Sequence, residues 1–213
     1  MDTSHSDGTT GTATGSAGTG ANGGARPGLR TFGVEEELLL VDPGSGDAVP
    51  MAGALLDLYV RPLASSAGPV LTAEFQQEMI EVVTPPHPTM AALEADIVAG
   101  RSIARQAAED VGVRVAALGT SPLPSDPHPV KLRRFAAITE EYGITAREQL
   151  TCGCHIHVSI ESVEEGVAVL DRIRNWLPVL IALRANSPFW HGEDTGYASF
   201  RSQVWNRWPT AGP

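Results

Sequence analysis

Residues 151 to 160 read Thr-Cys-Gly-Cys-His-Ile-His-Val-Ser-Ile, and they switch between apolar and polar side chains at every step. Successive side chains of a β-strand point to opposite faces. Read as a strand, this stretch turns Cys152, Cys154, Ile156, Val158 and Ile160 one way, into a core. Thr151, Gly153, His155, His157 and Ser159 turn the other way. Neutral imidazole is a common metal ligand, and a strand that aims two of them at a shared cavity suits a metal or phosphate site. The same pattern also fits a solvated outer face with two incidental histidines.

Composition narrows the classes. The chain has 213 residues, 42% of them hydrophobic and 19% charged, with a net charge of -10. That length fits one domain and part of another. The negative charge argues against nucleic-acid binding through a broad basic surface. It leaves room for an anionic small molecule, because a bound divalent cation reverses the local sign. No stretch approaches the roughly 20 apolar residues that span a bilayer, and the N-terminus has no basic-then-apolar signal pattern. Cys152 and Cys154 are the only two cysteines. On one strand face they stand about 6.5 to 7 Å apart, which matches neither a disulfide nor a four-ligand zinc pattern. The expectation is a cytoplasmic protein with buried, reduced thiols and no membrane partner.

Residues 1–28 are almost all Gly, Ser, Thr, Ala, Asp and Asn. Such a segment buries too little surface to offset its ordering entropy, so a disordered tail is expected. Folded structure is then expected over residues 29–213. Residues 31–42, Thr-Phe-Gly-Val-Glu-Glu-Glu-Leu-Leu-Leu-Val-Asp, form a strand that ends at the turn Pro43-Gly44-Ser45-Gly46. Phe32, Val34, Glu36, Leu38 and Leu40 share one face, and Gly33, Glu35 and Glu37 the other. Three adjacent glutamates in an apolar strand fit either a solvated edge or a cation site, with Glu35 and Glu37 offering oxygen ligands to Mg²⁺ or Mn²⁺.

A second acidic run spans residues 70–84 and stops at Pro85-Pro86. Glu74, Glu78 and Glu81 would align on a helix, whereas Val82-Val83-Thr84 favours a strand. On one regular strand Glu74 and Glu81 face opposite ways, so a bulge is needed to bring both to one site. Scaffold follows. Thr89 caps a helix to about Asp110 that turns Leu93, Ile97, Ile103 or Ala104, and Ala107 inward. Val113–Leu118 is a short strand, 119–130 a proline-rich loop, and 131–142 a helix with a solvated basic start. Ser162-Val163-Glu164-Glu165 is a capping box for a helix to about Trp176. Pro178 kinks or restarts that helix toward Arg184, with Leu170, Ile173, Leu177, Leu180 and Ile181 expected in the core. Residues 186–213 hold three of the four tryptophans beside Tyr197, Arg201 and Arg207. Arg201 is suited to grip a carboxylate or phosphate with two parallel hydrogen bonds. A packed surface loop with exposed arginines is the plainer alternative.

Four stretches together resemble the YbdK-type carboxylate-amine ligases, the glutamate–cysteine ligase type 2 family. They are Gly33-Val34-Glu35-Glu36-Glu37, the segment from Glu74 to Pro85, Cys152-Gly153-Cys154-His155-Ile156-His157-Val158, and Asn186 through Tyr197 and Arg201 to Trp208-Pro209-Thr210. The resemblance implies an α+β, glutamine-synthetase-like fold, an antiparallel sheet with helices packed on one face. It implies an ATP-dependent ligase that joins L-glutamate to L-cysteine or another amine through a γ-glutamyl phosphate, with Mg²⁺ or Mn²⁺. Glu35, Glu37, Glu74, Glu81 and His155 resemble the family's metal ligands, with Glu78 as substitute if the bulge lies elsewhere. His157 and Arg201 are the expected catalytic contacts to phosphate or glutamate, and Tyr197 joins them in holding nucleotide. The resemblance leaves room for a homo-oligomer.

Family members continue for more than a hundred residues past the point where this sequence stops. A C-terminally truncated catalytic domain with impaired turnover is therefore expected. Two alternatives stand beside the ligase. One is a non-catalytic metal- and nucleotide-binding remnant, and the other is a guanidino kinase of related fold.

Overall fold

The computed structural model describes residues 29–59 and 68–211. The expected tail, residues 1–28, lies outside the described residues. The described chain opens with β1 (Phe32–Val41) and α1 (Ala52–Leu58), then β2 (Val70–Ala73) and β3 (Met79–Val83). It continues through α2 (Met90–Asp110), β4 (Arg114–Ala116), α3 (Arg133–Tyr142), α4 (Ile144–Glu148) and β5 (Cys154–Val158). After that come α5 (Val163–Ile173), a 3₁₀ turn at Arg174–Trp176 and α6 (Leu177–Leu183). The last elements are β6 (Phe189–Trp190), β7 (Glu193–Asp194) and α7 (Arg201–Trp205). The class is α+β.

Strand β1 organises the main sheet. One of its edges pairs with β3, which pairs in turn with β2. Its other edge is shared end to end, with β5 along Phe32–Glu36 and β4 along Leu39–Val41. Every pairing is antiparallel. Where β5 gives way to β4, a gap opens beside Glu37, and there the amide of Glu37 donates to the carbonyl of Gly153 at 3.0 Å.

The alternation in β1 sorts its two faces as the sequence reading expects. Leu38 and Leu40 join Leu71, Ile80, Val82, Leu55 and the alanines Ala104, Ala107 and Ala108 in one buried cluster under α1 and α2. Each such aliphatic side chain, fully buried, contributes about 1.5–3 kcal/mol. Thr89 caps α2 by accepting from the Ala92 amide at 3.3 Å. Gly100 lets that helix lie close on the sheet, since a Cβ there would stand 2.4 Å from Val82 Cγ1. On the opposite face Leu39 and Met79 pack with Leu150 and Cys152. Helix α1, the short α4 and α7 have no counterpart in the sequence reading.

Three sequence expectations give way. The 70–84 run is neither helix nor bulged strand. It is the hairpin β2–β3, whose connection holds Glu74 and Glu78, so a turn rather than a bulge separates Glu74 from Glu81. The apolar face of β5 does not enter a core of the described residues: Ile156 is 71% exposed and Val158 53%. Cys154 is exposed on that face, while Cys152 is buried. Helices α5 and α6 begin where expected, with Ser162 Oγ accepting from the Glu165 amide at 3.1 Å and Pro178 in the first turn of α6. Yet Leu170, Ile173, Leu177, Leu180 and Ile181 are all exposed. Periodicity placed these residues on one side of their helices, but nothing among the described residues covers that side.

Candidate functional site

The sheet face opposite α2 carries the acidic side chains and the histidines. The three adjacent glutamates of β1 divide by alternation. Glu36 turns toward α2, where Arg101 grips its carboxylate through Nε at 2.7 Å and Nη2 at 2.6 Å. This two-pronged pairing neutralises the one carboxylate that faces the helix side. Glu35 and Glu37 turn the other way and meet partners on both neighbouring strands. Glu37 sits directly across from Glu81 of β3, and Glu35 directly across from His155 of β5.

The distances form two overlapping groups. His155 Nδ1 lies 3.4 Å from Glu35 Oε2 and 4.0 Å from Glu37 Oε1. His157 Nε2 lies 3.0 Å from Glu35 Oε2. In each of the sets Glu35–His155–His157 and Glu37–Glu81–His155, one ligand atom per residue lies within 4.8 Å of the others. Carboxylate oxygens and imidazole nitrogens in such sets match the donor chemistry of Mg²⁺ and Mn²⁺ sites, so the residues present fit a divalent cation.

Electrostatics point the same way. Burial raises the pKa of Glu37 above the ordinary carboxylate value, and Glu81 adds to the rise, against the opposing pull of the Gly153 amide and His155. Burial and then the charge of Glu37 raise Glu74. Burial raises Glu81, with further upward pressure from Glu35 and Glu74, while its hydrogen bond from Thr72 Oγ1 at 3.0 Å pulls it back. Like charges placed directly opposite on a sheet destabilise it. These carboxylates therefore need a counter-charge that the nearby side chains supply only in part.

Gly153 belongs to the same construction. Its amide donates to Glu37 Oε2 at 2.7 Å. A Cβ at this position would stand 3.1 Å from His155 Nε2, 3.4 Å from Arg201 Nη2 and 3.6 Å from Glu37 Oε2. Arg201 reaches the site from the start of α7, anchored by Nε donating to the Cys152 carbonyl at 2.7 Å and lying 5.2 Å over the Trp205 ring. Burial lowers its pKa from the ordinary arginine value, opposed by Glu37. A cavity of about 470 Å³ joins Glu37, His155, Arg184, Asn186, Arg201 and Trp205. A smaller one, about 280 Å³, lies toward the start of β1 beside Gly33, Glu35, Thr84 and His157.

The structure thus brings together Glu35, Glu37, Glu81, His155 and His157, with Glu74 and Arg201 close enough to act on the same charges. Two candidates stand apart. Glu78 is fully buried and turned into the scaffold, accepting from the His128 amide at 3.0 Å and meeting His128 Nδ1 at 2.7 Å, so it is no substitute for Glu74 or Glu81. Tyr197 packs against Phe200 and does not line either cavity. Sequence reasoning passed over Thr72, which holds Glu81, and Arg184, which lines the cavity. Thr72 was findable once the hairpin was recognised, since it pairs directly with Glu81. Arg184 had no local signal.

The profile of "Glutamate-cysteine ligase family 2" matches residues 31–213. The chain belongs to that family. A protein of Paenarthrobacter aurescens named "Putative glutamate--cysteine ligase 2-1" is 56% identical over 191 residues, covering 88% of this chain and 50% of that one. The like-named protein of Streptomyces avermitilis is 53% identical over 188 residues, 87% of this chain and 51% of its own. A family member from Salinispora tropica, "Putative glutamate--cysteine ligase 2", is 38% identical over 190 residues, 86% of this chain and 48% of its own. The chain spans about half the length of the curated relatives it matches. Among the described residues no helix is long and apolar enough to cross a membrane.

Proposed function

We propose that this chain supplies the metal- and phosphate-handling half of an ATP-dependent carboxylate-amine ligase, built on a glutamine-synthetase-like sheet. In this reading L-glutamate is the acid and L-cysteine or another amine is the acceptor. The observation that carries the reading is the convergence of Glu35, Glu37, Glu81 and His155 from three strands, with Glu74 and His157 beside them. Family membership supports the ligase class.

The chemistry needs such a face. A carboxylate is a poor electrophile. Its γ-oxygen attacks the terminal phosphorus of ATP, ADP leaves, and an acyl phosphate forms. The amine nitrogen then attacks the acyl carbon, loses a proton and expels inorganic phosphate, leaving an amide. Phosphoryl transfer relies mainly on positioning and charge neutralisation. Divalent cations, when bound, would offset the negative charge of the phosphates. Glu35, Glu37, Glu74, Glu81 and His155 are the residues that would hold them. Gly153 and Thr72 orient two of these carboxylates through the hydrogen bonds described above. In this reading His157, 3.0 Å from Glu35, contacts phosphate. Arg201, immobilised by the Cys152 carbonyl, keeps its outer nitrogens for a phosphate or the glutamate carboxylate.

The test is phosphate release by a protein of full family length that carries this segment. The ligase reading expects release only when ATP, glutamate and an amine are all present. A stable phosphorylated product without release would instead mark a guanidino kinase. Binding of Mn²⁺ and nucleotide with no turnover under any acceptor would mark a non-catalytic remnant.

A further inference from the structure

Glu78 carries a carboxylate that the proposed chemistry does not use, and only 1% of the residue is exposed. Both of its oxygens are engaged. Oε2 accepts from the His128 amide at 3.0 Å, and Oε1 lies 2.7 Å from His128 Nδ1. The same stretch of the proline-rich loop pairs with the β2–β3 connection through its backbone. The Gln77 amide donates to the His128 carbonyl at 2.8 Å, and the Val130 amide to the Phe75 carbonyl at 2.9 Å. The buried Gln76 donates through Nε2 to the carbonyls of Ala146 and Gln149, at 2.9 and 3.0 Å. The Glu78 carbonyl accepts from the Leu40 amide at 2.8 Å, which ties this end of the connection to β1. Glu74 stands at the other end, the first residue past β2.

A buried carboxylate–imidazole pair is a poor source of stability, because well-packed apolar residues of similar volume often do as well or better. What the pair supplies is alignment. The backbone pairing of residues 75–77 with 128–130 is short, and a short pairing specifies its register weakly. A buried carboxylate needs its hydrogen-bond donors, and only one register brings both of those on His128 to Glu78. The consequence falls on Glu74. Thr72 steadies Glu81, and the Gly153 amide steadies Glu37. Glu74 lies off the β2–β3 ladder, so its place beside Glu37 depends on the connection that follows it. We infer that Glu78 and His128 are positioning residues: their pair fixes the register of the β2–β3 connection on the loop and so sets Glu74 on the metal face. The role of Glu74 rests on the proposed metal reading of that face, whereas the fixing of the register does not.

The test uses the 213-residue chain without nucleotide. His128→Ala removes the imidazole and keeps the amide and carbonyl of that residue. It should speed hydrogen exchange of the Gln77 and Val130 amides about 10-fold, the weight of a hydrogen bond to a charged group. It should also weaken Mn²⁺ binding about 10-fold in calorimetric titration. His128→Asn should restore both, since its side-chain amide donates to Glu78 from nearly the same place as Nδ1. His87→Ala is the control. It cuts a similar pair, His87 Nε2 with Asp96 Oδ2 of α2 at 2.6 Å, away from the connection. It should lower the melting temperature and leave both readouts unchanged. Unaltered exchange in His128→Ala, a rise shared equally by amides of β1 and α2, or failure of His128→Asn to restore would each overturn the inference. So would a loosened connection with Mn²⁺ affinity intact. A wild-type chain that took up no Mn²⁺ would defeat the metal reading and the part of Glu74 in it, while the exchange data would still decide whether the pair fixes the register.

Discussion

Strands β1 and β5 pair over five residues, yet they sit in opposite surroundings. Both turn ionisable side chains toward the same site, Glu35 and Glu37 from β1 and His155 and His157 from β5. Behind β1, α2 buries Leu38 and Leu40 almost completely. Behind β5, Ile156 and Val158 meet no such cover among the described residues. Alternation reports which side of a strand is apolar. It carries no information about which element covers that side.

The largest expected effect follows from this contrast. Ile80→Ala, deep under α2, should lower the unfolding free energy by about 2–5 kcal/mol in urea titration. The matching cut in the exposed helix α6, Leu180→Ala, should stay within about 0.5 kcal/mol. Equal losses at the two positions would mean that α6 is covered in the isolated chain.

Next in size is the acidic face. Thr72→Val removes the hydroxyl that holds Glu81 and should weaken Mn²⁺ binding about 10-fold in calorimetric titration, the usual cost of losing an orienting partner. Replacing Thr139, whose hydroxyl bonds within α3, should leave Mn²⁺ affinity untouched.

The pH response separates the same face from the rest of the sheet. Glu37, Glu74 and Glu81 all have raised values in the fold. Each therefore binds its proton more tightly folded than unfolded. Their stabilising contribution is complete below the unfolded value of about 4.3 and disappears as pH rises through their higher folded values. With chelator present, Glu81→Gln should gain stability relative to wild type as pH climbs from about 4.3 toward neutrality. Added Mn²⁺ should erase that advantage. A difference that stayed flat with pH would refute the charge crowding.

The smallest effect concerns the two thiols. Burial pushes the Cys152 thiol up strongly, whereas Cys154 is exposed on the bare side of β5. A thiol reagent should label one cysteine in the native chain and both in denaturant.

Much of the site was legible because β-structure has a period of two. That period assigned Glu35 and Glu37 to one face and Glu36 to the other, and it placed His155 and His157 together. It failed over residues 70–84, where Glu74, Glu78 and Glu81 fit two periods at once. The turn between β2 and β3 has no Gly or Pro to announce it. Glu78 looked like its neighbours in sequence, but its position in that turn points it at His128. The apolar residues of α5 and α6 were read as core because amphipathic helices usually pack on their own chain.

By itself the sequence determined strands β1, β4 and β5, the apolar sides of β1 and β5, the caps at Thr89 and Ser162, and the residue types of the acidic and imidazole cluster, since all of these arise from neighbours along the chain. The tertiary structure alone decided that Glu37 faces Glu81, that Glu35 faces His155, that Glu78 is scaffold, and that the back of β5 lies open among the described residues. Those outcomes depend on register and on packing between segments far apart in sequence, which no local pattern encodes.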